Sequence, residues 1–221
     1  MQDSTKYEIS FLNALFLTIA YFVICLIIPT AIDTLIWKKT VGDISTWLNI
    51  LTLIIISCIF FFYLSHRIQY KIDFHKNITP VNTLIAIGCS ILFFLLLDKF
   101  LDPIFDKMFS TSAIAYQETL NTLRLSPATT FIRVCLFAPI TEEILMRGYV
   151  LNGLQNKYGV MVALVITTFL FAILHFNYVQ TLSAVICGLV IGLLYIKTNS
   201  VACCILTHAL YNSISFFTMV V

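Results

Sequence analysis

Charge is what this chain has least of. Lysine and arginine together number 13, and aspartate and glutamate 11, in 221 residues, for a net charge of +2. That is too few charged groups to cover a water-facing globule of this length, so a soluble domain is excluded. No basic cluster offers itself to a phosphate backbone, so nucleic acid is excluded as a partner. There is no internal repeat, no low-complexity tract and no stretch polar enough for a separate soluble domain. The seven cysteines (Cys25, Cys58, Cys89, Cys135, Cys187, Cys203 and Cys204) show no C-x-x-C spacing and all fall in apolar segments. Buried cysteine of that kind behaves as a small hydrophobe rather than as a thiol nucleophile or soft-metal ligand.

What the chain has instead is apolar length. Hydrophobic residues make up 60% of it and the mean hydropathy is +0.96. The fold class this implies is all-α, a polytopic transmembrane bundle of about seven spans with an additional amphipathic segment. The spans are expected at residues 11–30, 47–65, 81–97, 126–151, 160–175, 179–196 and 201–221. A short polar lead, residues 1–10, precedes them. Pro29 with Asp33 marks the exit of the first span, and Trp37, Lys38 and Lys39 are its interfacial anchors. Asp98 and Lys99, then Asp102 and Pro103, end the third. Residues 104–125 mix charged and apolar positions and read as an interfacial helix or covering loop. His66 and His75 read as solvated loop residues. Gly148 to Lys157 is expected to turn the chain between the fourth and fifth spans. Gly188 and Gly192, at i,i+4, read as a close-packing face. The protein is thus expected to be a multi-pass integral membrane protein in one membrane domain. Residues 1–125 supply N-terminal helices and the amphipathic segment, and residues 126–221 carry the chemistry.

The fourth span organises the rest. Ser126 reads as its N-cap, with Pro127 at the first helical position, and the helix to Leu151 would be roughly 36 Å long. Glu142, Glu143 and Arg147 lie deep within it, where each charge costs roughly 2.5–3.5 kcal/mol on insertion scales and so calls for a function or a partner. Glu143 and Arg147 are spaced for a same-face ion pair with the acid N-terminal. Glu142 points about 100° away and has no helical partner. Pro139 cannot donate to the carbonyl of Cys135, so that acceptor needs a side chain or water.

Two later spans carry polar groups suited to meet it. His175 closes the fifth, one turn after Phe171. In the last, His208, Tyr211, Asn212 and Ser215 form one stripe at i, i+3, i+4 and i+7. Such a stripe must face the bundle interior. Peptide hydrolysis needs an activated water and donors for an oxyanion. Glu142 with His175 could supply the first, and His208 with Asn212 the second, with Glu143 and Arg147 bracing the helix. The same residues could instead form a structural cluster in a non-enzymatic immunity or regulatory protein, or a proton relay in a transporter.

Glu142-Glu143-x-x-x-Arg147, Phe171-x-x-x-His175 and His208-x-x-x-Asn212 stand in order on separate spans, with Gly188-x-x-x-Gly192-x-x-Tyr195 and Thr198 between the last two. Together they resemble the CPBP family of intramembrane proteases (CAAX proteases and bacteriocin-processing enzymes, also called Abi), which includes the Ras-converting type of CAAX prenyl endopeptidase. The resemblance runs over roughly residues 126–215; the first three spans carry no motif. It implies a protease with Glu142 as general base, His175 as its partner and His208 with Asn212 at the oxyanion. The substrate it implies is a membrane-associated peptide or lipidated protein. In a bacterium it implies residence in the plasma membrane, with peptide maturation or bacteriocin self-immunity as the role. No cofactor is expected. The alternative is Zn²⁺ held by Glu142, His175 and His208 with one open position, although the chain has no H-E-x-x-H. Nothing in the sequence speaks to the oligomeric state.

Overall fold

A computed structural model describes residues 7–41 and 44–219. Among them eight helices follow one another. They are α1 (Phe11–Thr40), α2 (Ser45–Ile68), α3 (Pro80–Met108), α4 (Ser110–Arg124), α5 (residues 127–158), α6 (Val160–His175), α7 (Tyr178–Thr198) and α8 (Val201–Met219). Local chemistry sets most boundaries. Ser10 caps α1 through Asn13 N–H, Thr79 caps α3 through Asn82 N–H with Pro80 behind it, and Asn177 accepts from Val179 and Gln180 at the start of α7. Gln69 and Asn199 take the left-handed conformation that ends α2 and α7. The polar lead lies outside the described residues as far as residue 6, as do the last two residues of the final span.

Five of these helices, α1, α2, α3, α7 and α8, are long and apolar enough to cross a membrane, rather than about seven. α6 is apolar but short, and α5 carries the buried charges. Phe16, Ile59, Phe62, Leu84 and Phe169 project from the outer faces. Such a surface suits lipid and not water. The protein is an all-helical integral membrane protein.

Several boundaries differ from the sequence reading, for one recurring reason. Pro29 and Asp33 do not end α1. π-helical turns at Phe22–Ile27 precede the proline and let the helix continue to Thr40. Asp33 is buried there and pairs with Lys38 at 3.4 Å. Likewise Asp98 and Asp102 lie within α3, which runs on through π-helical turns to Met108, and the amphipathic helix proper is α4. Ser126 makes no side-chain cap, although Pro127 opens α5 as expected. Nor do Gly148 to Lys157 turn the chain; they are the last turns of α5. Gly148 is where Ile72 packs against the helix, Gly153 accommodates Tyr7 and Ile9, and the break comes at Gly159, whose φ of +83° suits glycine.

α5 is the hub. Every residue from Leu145 to Leu151 is buried, the signature of a helix enclosed on all sides. It packs against α6, α7 and α8, while α1 pairs with α2 and α3 with α8. On α7 a side chain at Gly188 would meet Thr168 of α6 at 3.2 Å, and one at Gly192 would meet Leu164, so both glycines serve close packing.

Candidate active site

The i,i+4 spacing on α5 brings Arg147 onto Glu143, with Nη1 3.0 Å from one carboxylate oxygen and 2.9 Å from the other. Both side chains are fully buried. Arg147 Nη2 donates to the carbonyl of Gly188 at 3.1 Å, a contact that needs the close approach of α7. Glu143 also reaches α8: His208 Nδ1 lies 2.9 Å from Oε1. One carboxylate therefore fixes a cation on its own helix and an imidazole on another.

The other nitrogen of that ring, Nε2, faces Glu142 Oε2 at 4.0 Å, too far for a direct hydrogen bond. Glu142 keeps 20% of its side-chain surface open. It opens onto a cavity of about 490 Å³ whose walls also carry His175, His208, Asn212 and Tyr211. Three helices thus turn their polar groups to one space. From α1, Tyr21 hydroxyl meets Thr141 Oγ1 at 2.9 Å, tying that helix to α5 beside Glu142. Neither partner carries a charge or belongs to a motif, so no sequence signal pointed to the contact.

His175 ends α6 in a single 3₁₀ turn, closed by Phe176 at φ +50°. Its Nδ1 lies 3.2 Å from the Phe171 carbonyl. A carbonyl only accepts, so Nδ1 carries the proton and a neutral ring keeps the lone pair on Nε2. The Phe171 ring meets His175 and His208 edge to face, at centroid distances of 5.1 and 5.9 Å. The Arg147 guanidinium sits 5.1 Å from the same ring. Phe171 is the apolar wedge among the two imidazoles and the buried cation.

Asn212 answers the question raised by Pro139, with a shift of register. Residues Phe131–Phe137 are π-helical, and Ala138 N–H accordingly reaches back five residues to Arg133. In that register the acceptor deprived of a donor by Pro139 is Val134, not Cys135. Asn212 Nδ2 donates to the Val134 carbonyl at 2.9 Å. An amide NH₂ has two protons, so one remains for the cavity.

The stripe on α8 divides. His208 and Asn212 serve α5, whereas Tyr211 and Ser215 donate to Asp98 of α3, Tyr211 at 2.8 Å. One turn on, Asp102 accepts from Ser183 of α7 at 2.5 Å. These aspartates were read as the end of a span. The available signal was the apolar sequence on both sides of them, together with two donors at i,i+4 on α8. Asp98→Asn should leave an acceptor for one of the two hydroxyls and set its NH₂ against the other, in place of a carboxylate that accepts from both. We expect a loss of about 1–3 kcal/mol, read as a lower thermal midpoint; an unchanged midpoint would show that the pair contributes nothing.

Among the described residues no group of three His, Cys, Asp or Glu is disposed to hold a metal ion as the side chains stand.

Fold and site together define a membrane-embedded acid–imidazole centre carried by an all-helical bundle. Residues 124–214 match the family model described as Rce1-like, type II CAAX prenyl endopeptidase, and that segment is similar to this family. No curated protein and no solved structure matches the chain.

Proposed function

We propose that the chain is an intramembrane endopeptidase that hydrolyses a peptide bond of a membrane-associated peptide or lipidated protein with water activated by Glu142. The observation that carries this reading is the division of labour between adjacent carboxylates. Glu143 is consumed by Arg147 and His208, whereas Glu142 has no bonded partner and opens on the cavity. A carboxylate kept unpaired in an apolar bundle is expensive, and base chemistry is a reason to keep it.

In this mechanism water is held between Glu142 and His175 and attacks the carbonyl carbon as Glu142 takes its proton. The tetrahedral oxyanion accepts from the remaining N–H of Asn212 and from His208 Nε2–H. That second donor requires an imidazolium, the state in which Glu142, Glu143, Arg147 and His208 sum to zero charge. Glu142 then hands its proton to the departing amine. The products are one new carboxylic acid and one amine. In a bacterial host the setting would be the plasma membrane, and the role peptide maturation or bacteriocin self-immunity.

The test is hydrolysis by the purified chain in lipid nanodiscs, with membrane-associated peptides in H₂¹⁸O. One heavy oxygen should appear in the newly formed carboxylate. Intact peptides across a broad apolar panel would remove the proposal.

A further inference from the structure

The cavity reaches past the hydrolytic centre to a carboxylate that the mechanism leaves unused. Asp102 of α3 lies on its wall, with Ser183 and Gln180 of α7 and Tyr116 of α4. One turn back, Asp98 has a hydroxyl for each oxygen, from Tyr211 and Ser215. Asp102 has only one. Ser183 donates to its Oδ1, and among the described residues nothing donates to Oδ2. No cation among them pairs with it either. Lys99, three positions back, lies over the Phe94 ring, and Arg133, elsewhere on the cavity wall, answers to Asp33. The charges that act on Asp102 are Asp98 and Asp106, both of its own sign. Nor does the hydrolytic centre offset it, because Glu142, Glu143, Arg147 and the imidazolium of His208 already sum to zero. A carboxylate left over in an apolar bundle is costly unless a ligand meets it.

We infer that Asp102 receives a positively charged group of the substrate, an ammonium or guanidinium, and so selects peptides that carry a cation close to the bond that is cut. This rests on the hydrolytic reading and narrows its substrate class to basic apolar peptides. The fold sets the spacing. Tyr211, next to Asn212 on α8, bonds Asp98, which puts Asp98 level with the oxyanion donors. Asp102 stands four positions further along α3, about 6 Å. An extended chain covers about 3.4 Å per residue, so the cation would sit about two residues from the scissile bond. Tyr116 suits the same ligand. Its hydroxyl bonds Gln180, and it lies close enough to Asp102 to feel that charge. An aromatic ring beside a half-used carboxylate offers a cation both a π face and a charge-assisted hydrogen bond. Asp102 acts on a substrate side group and takes no part in bond breaking.

The experiment uses the full chain in phosphatidylcholine nanodiscs and dye-labelled apolar peptides acetylated at the N-terminus. Each carries either lysine or norleucine at one position, and the position is moved along the peptide. Binding and cleavage are both measured. At one position lysine should bind about 10- to 100-fold more tightly than norleucine, the range of a charge-assisted hydrogen bond gained. Asp102→Asn should erase that ratio, Asp102→Glu should keep part of it, and Asp102→Lys should turn the preference to glutamate at the same position. A general folding defect would weaken both peptides alike and leave the ratio, so a preserved ratio in Asp102→Asn overturns the inference. Equal binding of lysine and norleucine peptides at every position by the unaltered chain also overturns it, unless removing the acetyl group produces the gain and Asp102→Asn abolishes it. In that case the site stands and its cation is the peptide's α-amine. Cation-selective binding without any cleavage would uphold the role of Asp102 while removing the protease reading, and cleavage without selectivity would do the reverse.

Discussion

Glu142→Gln is expected to lower kcat/KM by about 10²- to 10⁴-fold, the range supplied by a positioned general base, with little change in the thermal midpoint. The amide has nearly the shape of the carboxylate and cannot accept the proton of water. Structure should survive because Glu142 has no hydrogen bond to lose; His208 Nε2 is 4.0 Å away. Activity and stability measured on the same preparation separate this from unfolding. Glu143→Gln offers the contrast, since it removes the charged partner of both Arg147 and His208 and should lower both quantities. If Glu142→Gln cleaves as well as the parent, the base is elsewhere and the mechanism is wrong. If it loses cleavage but keeps a protective phenotype in cells, the chain acts there as a binding protein. A loss of proton flux without any peptidase activity in the parent would point to transport.

How much of this could be read from the letters differs between fold and site. The apolar runs and their order were legible because lipid and core ask for the same residue types. The spans themselves were harder: Pro29, Asp98 and Gly148 look like punctuation, yet α1, α3 and α5 continue through all three. π-helical turns absorb the missing donor of Pro29, Tyr211 and Ser215 satisfy Asp98, and the space at Gly148 is filled by Ile72. None of these partners is near in sequence. At the site, the Glu143–Arg147 pair followed from helical spacing alone. That Glu143 also holds His208, or that Asn212 meets Val134, depends on how α8 lies against α5 and on a π register that moves the free carbonyl by one residue.

Arg147→Met is expected to be the most damaging single change to stability. Arg147 is fully buried, donates to Glu143 and to the Gly188 carbonyl, and lies against Phe171. Methionine fills much of the volume but strands the Glu143 charge with only His208 beside it. Breaking a buried pair in this way costs about 3–5 kcal/mol, a large part of the roughly 5–15 kcal/mol that holds a typical protein folded. At about 2–4 °C per kcal/mol for a chain of this size, the thermal midpoint should fall by roughly 10 °C. Arg147→Lys should lie between, since an ammonium keeps the charge but cannot fork to Glu143 and Gly188 together. The decisive comparison is the double variant Glu143→Gln, Arg147→Met. With no charge left stranded it should regain a good part of the lost stability. It should not regain activity, because His208 Nδ1 would then face a neutral amide and the ring that aims Nε2 at the cavity would lose its charged anchor. Were the double variant as active as the parent, the ion pair would only fill space between α5 and α7, and the orientation of His208 would have to come from elsewhere.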